Sequence, residues 1–316
     1  MAKRRATYKD LWKPEELIFL TECPLCLSVP DASIVAWRRD LLPLKLCNRC
    51  GLLFVDPRPS DDALTRCYEQ RYFTSSKDWS PIGPNRDYLR AMAATDQILG
   101  YNEIVSNLDL RDKALLEIGC ASGALLYSLQ QHMPARLVGI DIAEAPIEFG
   151  RECYGIDLRC TSLDDADFNE AEFDVILMLD VIEHVANLAH FFAETAKYVR
   201  RGGCMFVRTP NADSITVAGR RWTYLYEGLE HLVYLSPKTL AMLAGNSGMS
   251  CSKIWTDGCP AFVPYMHNFD SPLRLRRIAS EPVKALLNYY SRLYFAGAET
   301  RGFGLNFCAI ITNRSL

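Results

Sequence analysis

The sequence predicts an α/β fold built on a parallel sheet, and three stretches carry that expectation. Residues 115–126 (LLEIGCASGALL) read as a buried strand, a glycine turn and the start of a helix. Residues 137–141 (LVGID) are a second short apolar run, closed by a carboxylate about twenty residues after the turn. Residues 172–179 (EFDVILML) are a third. Apolar strands alternating with helical patterns are the signature of βαβ units and a parallel sheet.

Size and composition are those of a globular chain. Its 316 residues can hold two domains, with 49% hydrophobic and 23% charged residues and a net charge of −3. The charge argues against a general nucleic-acid binder. No apolar run approaches the roughly 20 residues of a membrane span. The basic start, Met1 to Arg5, is not followed by the apolar stretch of a secretory signal, so a cytoplasmic location is expected.

Residues 1–20 suit a short arm. Cys23, Cys26, Cys47 and Cys50 then form two C-x-x-C pairs with twenty residues between them. Each pair turns the backbone so that two sulfurs face one ion, which predicts a structural zinc site of four thiolates. A ribbon this short buries little apolar surface, so the metal would supply its folding energy. Residues 1–58 hold ten Lys/Arg and seven Asp/Glu. Four thiolates around Zn²⁺ bring that module close to neutral, without the basic and aromatic stripe of an RNA reader. Leu52–Val55 suits a strand closing the ribbon, and Asp61 onward a short helix reaching Tyr72 and Phe73. Thr74–Asn85 reads as a linker or lid, and Arg86–Leu108 as a helix leading into the sheet. The remaining eight cysteines read as reduced core residues.

The glycine turn could serve several ligands or none. It lacks the Gly-Lys-Ser/Thr of a P-loop and does not match G-x-G-x-x-G. It does match acidic-x-Gly-x-x-x-Gly, through Glu117, Gly119 and Gly123, with Ala121 where a glycine is usual. Asp141 can accept hydrogen bonds from a ribose diol, cap the helix opening at residues 143–146, or do both. Further on come Leu163 and Asp164, the strand ending at Leu179, and Glu183-His184-Val185. A helix is then expected to end over Lys197–Gly203, and a strand to run over Cys204–Asn211.

This ordered series resembles the class I S-adenosylmethionine (SAM)-dependent methyltransferases from Glu117 to about Asn211. The elements around Glu183-His184-Val185 and Thr209-Pro210-Asn211 resemble the group that includes ubiquinone-pathway O-methyltransferases and sugar or natural-product C-methyltransferases. With the Cys-Gly-Leu, Asp-Pro-Arg-Pro and Tyr-Phe elements of residues 50–73, the chain resembles methyltransferases carrying an N-terminal zinc ribbon. The resemblance implies a Rossmann-like seven-stranded domain over residues 76–316, preceded by a zinc ribbon and connecting helix over 1–75. It implies a SAM site of Glu117, Gly119, Cys120, Gly123, Asp141, Ile142, Leu163, Asp164 and Leu179.

Past Asn211, the aromatic stretch Trp222–Pro237 lies where such folds insert substrate contacts, making 211–236 one insertion. Ser236-Pro237 begins a helix, Cys251–Asp257 reads as a strand and Gly304–Ile311 as the last one. Residues 258–300 form a second insertion, over the substrate pocket or at a dimer contact. Of five histidines, His132, His190 and His267 have no motif around them. Glu230-His231 resembles the Glu-His pair of sugar C-methyltransferases and nominates His231 as base, with His184 as the other candidate. Neutral imidazole, with an ordinary pKa of about 6.5, accepts a proton near neutrality. The resulting expectation is C- or O-methylation of a small molecule. The alternatives are an RNA or protein methyltransferase that reads its substrate through the ribbon, and a non-catalytic SAM-binding assembly protein.

Overall fold

The computed structural model describes residues 11–29, 31–68, 100–257 and 302–313. Its strands are β1 (Leu17–Ile18), β2 (Ala32–Trp37), β3 (Pro43–Cys47), β4 (Leu53–Val55), β5 (Arg58–Pro59), β6 (Ala114–Ile118), β7 (Arg136–Asp141), β8 (Asp157–Cys160), β9 (Phe173–Leu179), β10 (Val199–Pro210), β11 (Val233–Tyr234), β12 (Ser250–Asp257) and β13 (Asn306–Thr312). Its main helices are α1 (Asp61–Cys67), α2 (Tyr101–Asn107), α3 (Ala124–Leu129), α4 (Glu144–Tyr154), α5 (Leu188–Tyr198) and α6 (Pro237–Asn246). The expected linker Thr74–Asn85, the first part of the Arg86–Leu108 helix, the 258–300 insertion, Cys259 and His267 lie outside the described residues. Among those residues no helix is long and apolar enough to cross a membrane.

Seven strands form one sheet in the order β12-β13-β10-β9-β6-β7-β8. The five from β6 to β10 run parallel, and β13 adds antiparallel to β10 and to β12. Strand β6 is buried along its whole length, as a parallel strand covered on both faces must be. The chain leaves β6 toward β7 and β8, then returns to β9 on the other side of β6. That reversal opens a crevice at the carboxyl ends of the central strands, where α/β folds bind ligands.

Several local expectations need correction. The helix ends at Tyr198, and Val199–Gly203 already belongs to β10, whose pairing with β9 shifts register between Val199 and Cys204. Strand β8 carries no apolar run, since it is a sheet edge paired only with β7, and its Asp-Leu-Arg-Cys sequence gave no strand signal. Cys153 and Cys160 are exposed rather than core, on α4 and on that edge strand.

The N-terminal segment forms a four-stranded sheet in the order β11-β4-β3-β2. Three strands come from residues 32–55. The fourth, β11, comes from the aromatic insertion nearly 180 residues later and pairs Val233 with Phe54 and Tyr234 with Leu53. Strands β1 and β5 pair separately. The ribbon therefore shares an apolar core with the large sheet: Leu25, Phe54, Trp222, Tyr234 and Phe307 are all buried in one cluster. Helix α6 starts from a capping box of Ser236 and Thr239, with Pro237 at its first position.

Candidate active site

The glycine turn begins where β6 ends. Gly119 has φ +71°, and a Cβ there would lie 2.4 Å from Val181 Cγ2, so only glycine fits. The Gly119 and Cys120 amides both donate to the Ile140 carbonyl, at 2.8 and 3.1 Å, tying the turn to β7. Ala121 also lies in the left-handed region, at φ +45°. Its amide donates to Asp141 Oδ2 at 2.8 Å, and the Ala143 amide donates to Asp141 Oδ1 at the same distance. Asp141 thus clamps the glycine turn to the residue that precedes α4, with lone pairs left over on both oxygens. The N-cap of α4 is Ala143, so the capping role open in the sequence is not the one Asp141 takes. Burial raises its pKa, against the lowering effect of these amides.

A cavity of about 400 Å³ opens above this turn. Glu117, Gly119, Cys120, Asp141, Ile142, Leu163, Asp164 and Leu179 line it, as does His184. Its size suits a nucleoside-bearing ligand, since small-molecule pockets span roughly 300–1,000 Å³. Gly123, expected in the cofactor set, does not line the cavity. It starts α3 at φ +72°, and a Cβ would lie 2.6 Å from Leu158 Cδ2. Glu230 and His231 also lie outside the lining.

Among the lining residues that had no sequence signal as site residues, Tyr68, Asp180 and Val181 bear on its chemistry and shape. Tyr68, just after α1, places its hydroxyl 2.7 Å from His184 Nδ1. Asp180 sits at φ +53° at the end of β9. Arg208 Nη1 lies 2.6 Å from both of its oxygens and opposes the upward push that burial gives its pKa. Val181 packs over Gly119. Only the fold brings residues 68 and 184 together, so no local pattern marks the pair.

His231 stands edge-on behind His184, with ring centroids 4.6 Å apart. Burial holds both imidazoles neutral: it lowers the His184 pKa to about 4, against a hydrogen bond to the Glu230 main chain, and lowers that of His231 well below its usual range. Ligand atoms of Glu183, His184 and His231 all lie within 4.8 Å of one another. Glu183 accepts a hydrogen bond from Thr209 at 2.9 Å, and burial keeps its pKa well above the usual carboxylate range. Of the other histidines, His132 meets the Tyr101 hydroxyl at 2.7 Å, and His190 Nε2 lies 3.2 Å from Asp164.

In the ribbon, the sulfurs of Cys23, Cys26, Cys47 and Cys50 lie within 4.8 Å of one another. Cys23–Cys50 and Cys26–Cys47 are 3.6 and 3.8 Å apart. A tetrahedron with zinc–sulfur bonds of about 2.3 Å has edges of about 3.8 Å, close to the Cys23–Cys50 and Cys26–Cys47 separations, so the four cysteines suit such an ion.

The model of a family described as a methyltransferase domain matches residues 90–253, more than half of the chain. The chain belongs to that family. This methyltransferase-domain chain is also similar to the ubiquinone biosynthesis O-methyltransferase of Bartonella quintana, at 32% identity over 139 residues, 42% of this chain and 54% of the relative. The same-named protein of Parvibaculum lavamentivorans is 37% identical over 148 residues, 42% of this chain and 57% of the relative. The methyltransferase-domain chain thus spans about half the length of the curated relatives it matches. In fold it is similar to a chain from the complex between the Haloferax volcanii Trm112 methyltransferase activator and a methyltransferase. That likeness has TM-score 0.51 and 14% identity, over 73% of this chain and 98% of the other.

Glu230 gives this domain a testable pH dependence. Burial raises its pKa from 4.5 to about 7, with Arg38 opposing and Asp40 and Glu227 adding to the rise. Between these values the folded chain keeps a proton that the unfolded chain releases. The contribution of Glu230 to stability therefore falls as pH rises from about 4.5 to about 7 and is level above that. Glu230→Gln is expected to match the parent near pH 4.5 and to be the more stable by up to about 3 kcal/mol at pH 8. Urea unfolding of both proteins at the two pH values measures this, and an equal difference at both would rule it out.

Proposed function

We propose that this chain transfers a methyl group from SAM to a small-molecule acceptor, at an oxygen or an acidic carbon. The observation that carries the reading is one cavity whose lining includes both the glycine turn, Asp141 and Leu163 and the hydrogen-bonded pair Tyr68 and His184. When bound, SAM supplies an electrophilic sulfonium methyl. Glu117, Gly119 and Cys120 would border its amino-acid end, Asp141 its ribose, and Ile142, Leu163 and Asp164 its base. What remains for the protein is to align the acceptor and remove its proton.

Tyr68 and His184 suit that task. Tyr68 touches the cavity and hydrogen-bonds to a neutral imidazole. An acceptor proton would pass to the Tyr68 oxygen as the tyrosyl proton moves to His184 Nδ1. His231 backs this imidazole from outside the cavity, a supporting place rather than that of the base expected from the sequence. The names of the similar O-methyltransferases favour a hydroxyl acceptor; a sugar or natural-product intermediate is the class to screen. A structural zinc on the four ribbon cysteines completes the proposal.

The test is transfer from methyl-labelled SAM to a panel of catechols and nucleotide sugars, beside calorimetric SAM titration. Tyr68→Phe and His184→Gln are expected to lower kcat by about 10²–10⁴-fold, the usual worth of acid–base catalysis, with SAM affinity kept within about threefold. Unchanged turnover in both variants would remove the pair from the mechanism.

A further inference from the structure

The ribbon does more than sit beside the methyltransferase domain: it holds the chain that carries His231. The β2–β3 turn reaches into the aromatic insertion, where the Arg39 amide donates to the Leu225 carbonyl at 2.7 Å. Its neighbour Arg38 is 2% exposed. The Arg38 guanidinium meets Asp40 through Nε at 3.2 Å and Nη2 at 2.5 Å. The same group donates to two main-chain carbonyls of the insertion: Nη1 to His231 at 2.6 Å and Nη2 to Leu229 at 2.5 Å. Asp40 is fixed in turn by Trp12 Nε1 at 3.0 Å and the Leu42 amide at 3.3 Å.

The next residue is held from both sides. The Leu232 amide donates to the Glu183 carbonyl at 2.8 Å, and its carbonyl accepts from Val55 of β4 at 2.9 Å. Gly228, at φ +64°, leaves room for the ring, since a Cβ there would lie 2.5 Å from His231 Cε1. Residues 228–232 are thus set between the ribbon and the Glu183–His184 turn.

We propose that Arg38 is a positioning residue of the methyl-transfer site: held by Asp40, it fixes the Leu229–His231 main chain and thereby sets the His231 imidazole against His184. This rests on the reading of the Tyr68–His184 pair as the proton-handling group of the cavity, with His231 backing His184 from outside it. Arginine is required by the geometry. Its planar fork serves a carboxylate and two carbonyls at once, which a single ammonium cannot do from one position. A buried guanidinium and carboxylate are costly to desolvate unless fully paired, so an apolar pair would be the simpler choice for stability alone. The two carbonyls lie beyond what pairing with Asp40 needs, and they belong to the segment carrying His231.

The experiment uses full-length, zinc-loaded protein and needs no acceptor. Arg38→Met/Asp40→Asn removes the fork without leaving a lone buried charge, and Arg38→Lys keeps the charge alone. SAM titration reports whether the cofactor end is intact, and the imidazole resonances of histidine-labelled protein report on His231. In the parent, His231 faces His184, Tyr224 and Tyr234, with Glu183 and Arg38 nearby, and burial holds its pKa well below the usual imidazole value, so its resonances are expected to show no protonation near neutrality. Both variants are expected to bind SAM within about threefold of the parent while His231 moves toward titration at about 6.5, the value of a solvated imidazole. His231 resonances that keep the parent's behaviour in both variants would overturn the proposal. So would loss of SAM binding in both, which would make Arg38 a support of the whole fold. Failure of the parent to bind SAM, or undiminished turnover in His184→Gln, would instead defeat the functional reading itself.

Discussion

Gly119→Arg is expected to abolish SAM binding, with affinity falling by at least about 100-fold, or about 2.7 kcal/mol. Two effects add. At φ +71° any side chain strains the backbone, and the first carbon already lies 2.4 Å from Val181 Cγ2. The rest of the arginine must then enter a cavity of about 400 Å³ or push Val181 out of the turn. The strands beneath do not depend on the cavity being empty, so far-UV circular dichroism should remain that of the parent. Calorimetric titration decides the matter. Saturable binding at near-parent affinity would place the cofactor elsewhere and leave the turn as a structural feature alone.

Cys47→Ser should abolish the zinc binding proposed for the ribbon and cost a large part of its stability. Cys47 closes β3 and lies 3.8 Å from Cys26, so its loss opens the tetrahedron and frees the end of that strand. Structural zinc contributes on the order of 10 kcal/mol in isolated ribbons. Here the apolar core shared with the large sheet retains part of the fold, and a loss of about 4 kcal/mol is expected, at the large end for single substitutions, where metal loss belongs. The damage should spread beyond the ribbon. Strand β11 pairs with β4, so protection from hydrogen exchange should fall at Val233 and Tyr234 as well as at Leu44–Val55. One zinc per chain in the parent and none in the variant, by elemental analysis, is the accompanying expectation. A Cys47→Ser protein with full zinc and unchanged unfolding would remove the four cysteines as a metal site.

The glycine-turn part of the cavity lining was legible, Gly123 excepted, because each of its parts is local. Gly119 must take a left-handed backbone, β6 must be apolar on both faces, and Asp141 must end the next strand. Each is a demand on a few consecutive residues, so each leaves a pattern in order along the chain. The four cysteines were legible for the same reason, since a metal pair needs only two residues three apart, twice. The acceptor side was only half legible. Glu183-His184 and Glu230-His231 stand out as pairs, yet no spacing says that one imidazole faces the cavity and the other stands behind it. Tyr68 was invisible because its partner lies 116 residues away.

The sequence by itself therefore determined a parallel α/β domain, the tight glycine turn after its first strand and two cysteine pairs spaced to meet, all through short-range backbone geometry, while its resemblance to the methyltransferases pointed to SAM. Tertiary structure alone decided that the ribbon sheet is completed by β11 and that Arg38 grips the carbonyls of Leu229 and His231. A strand of two residues has too little pattern to announce its partner, and a main-chain carbonyl is the same at every position. Such contacts are specified by packing between distant segments.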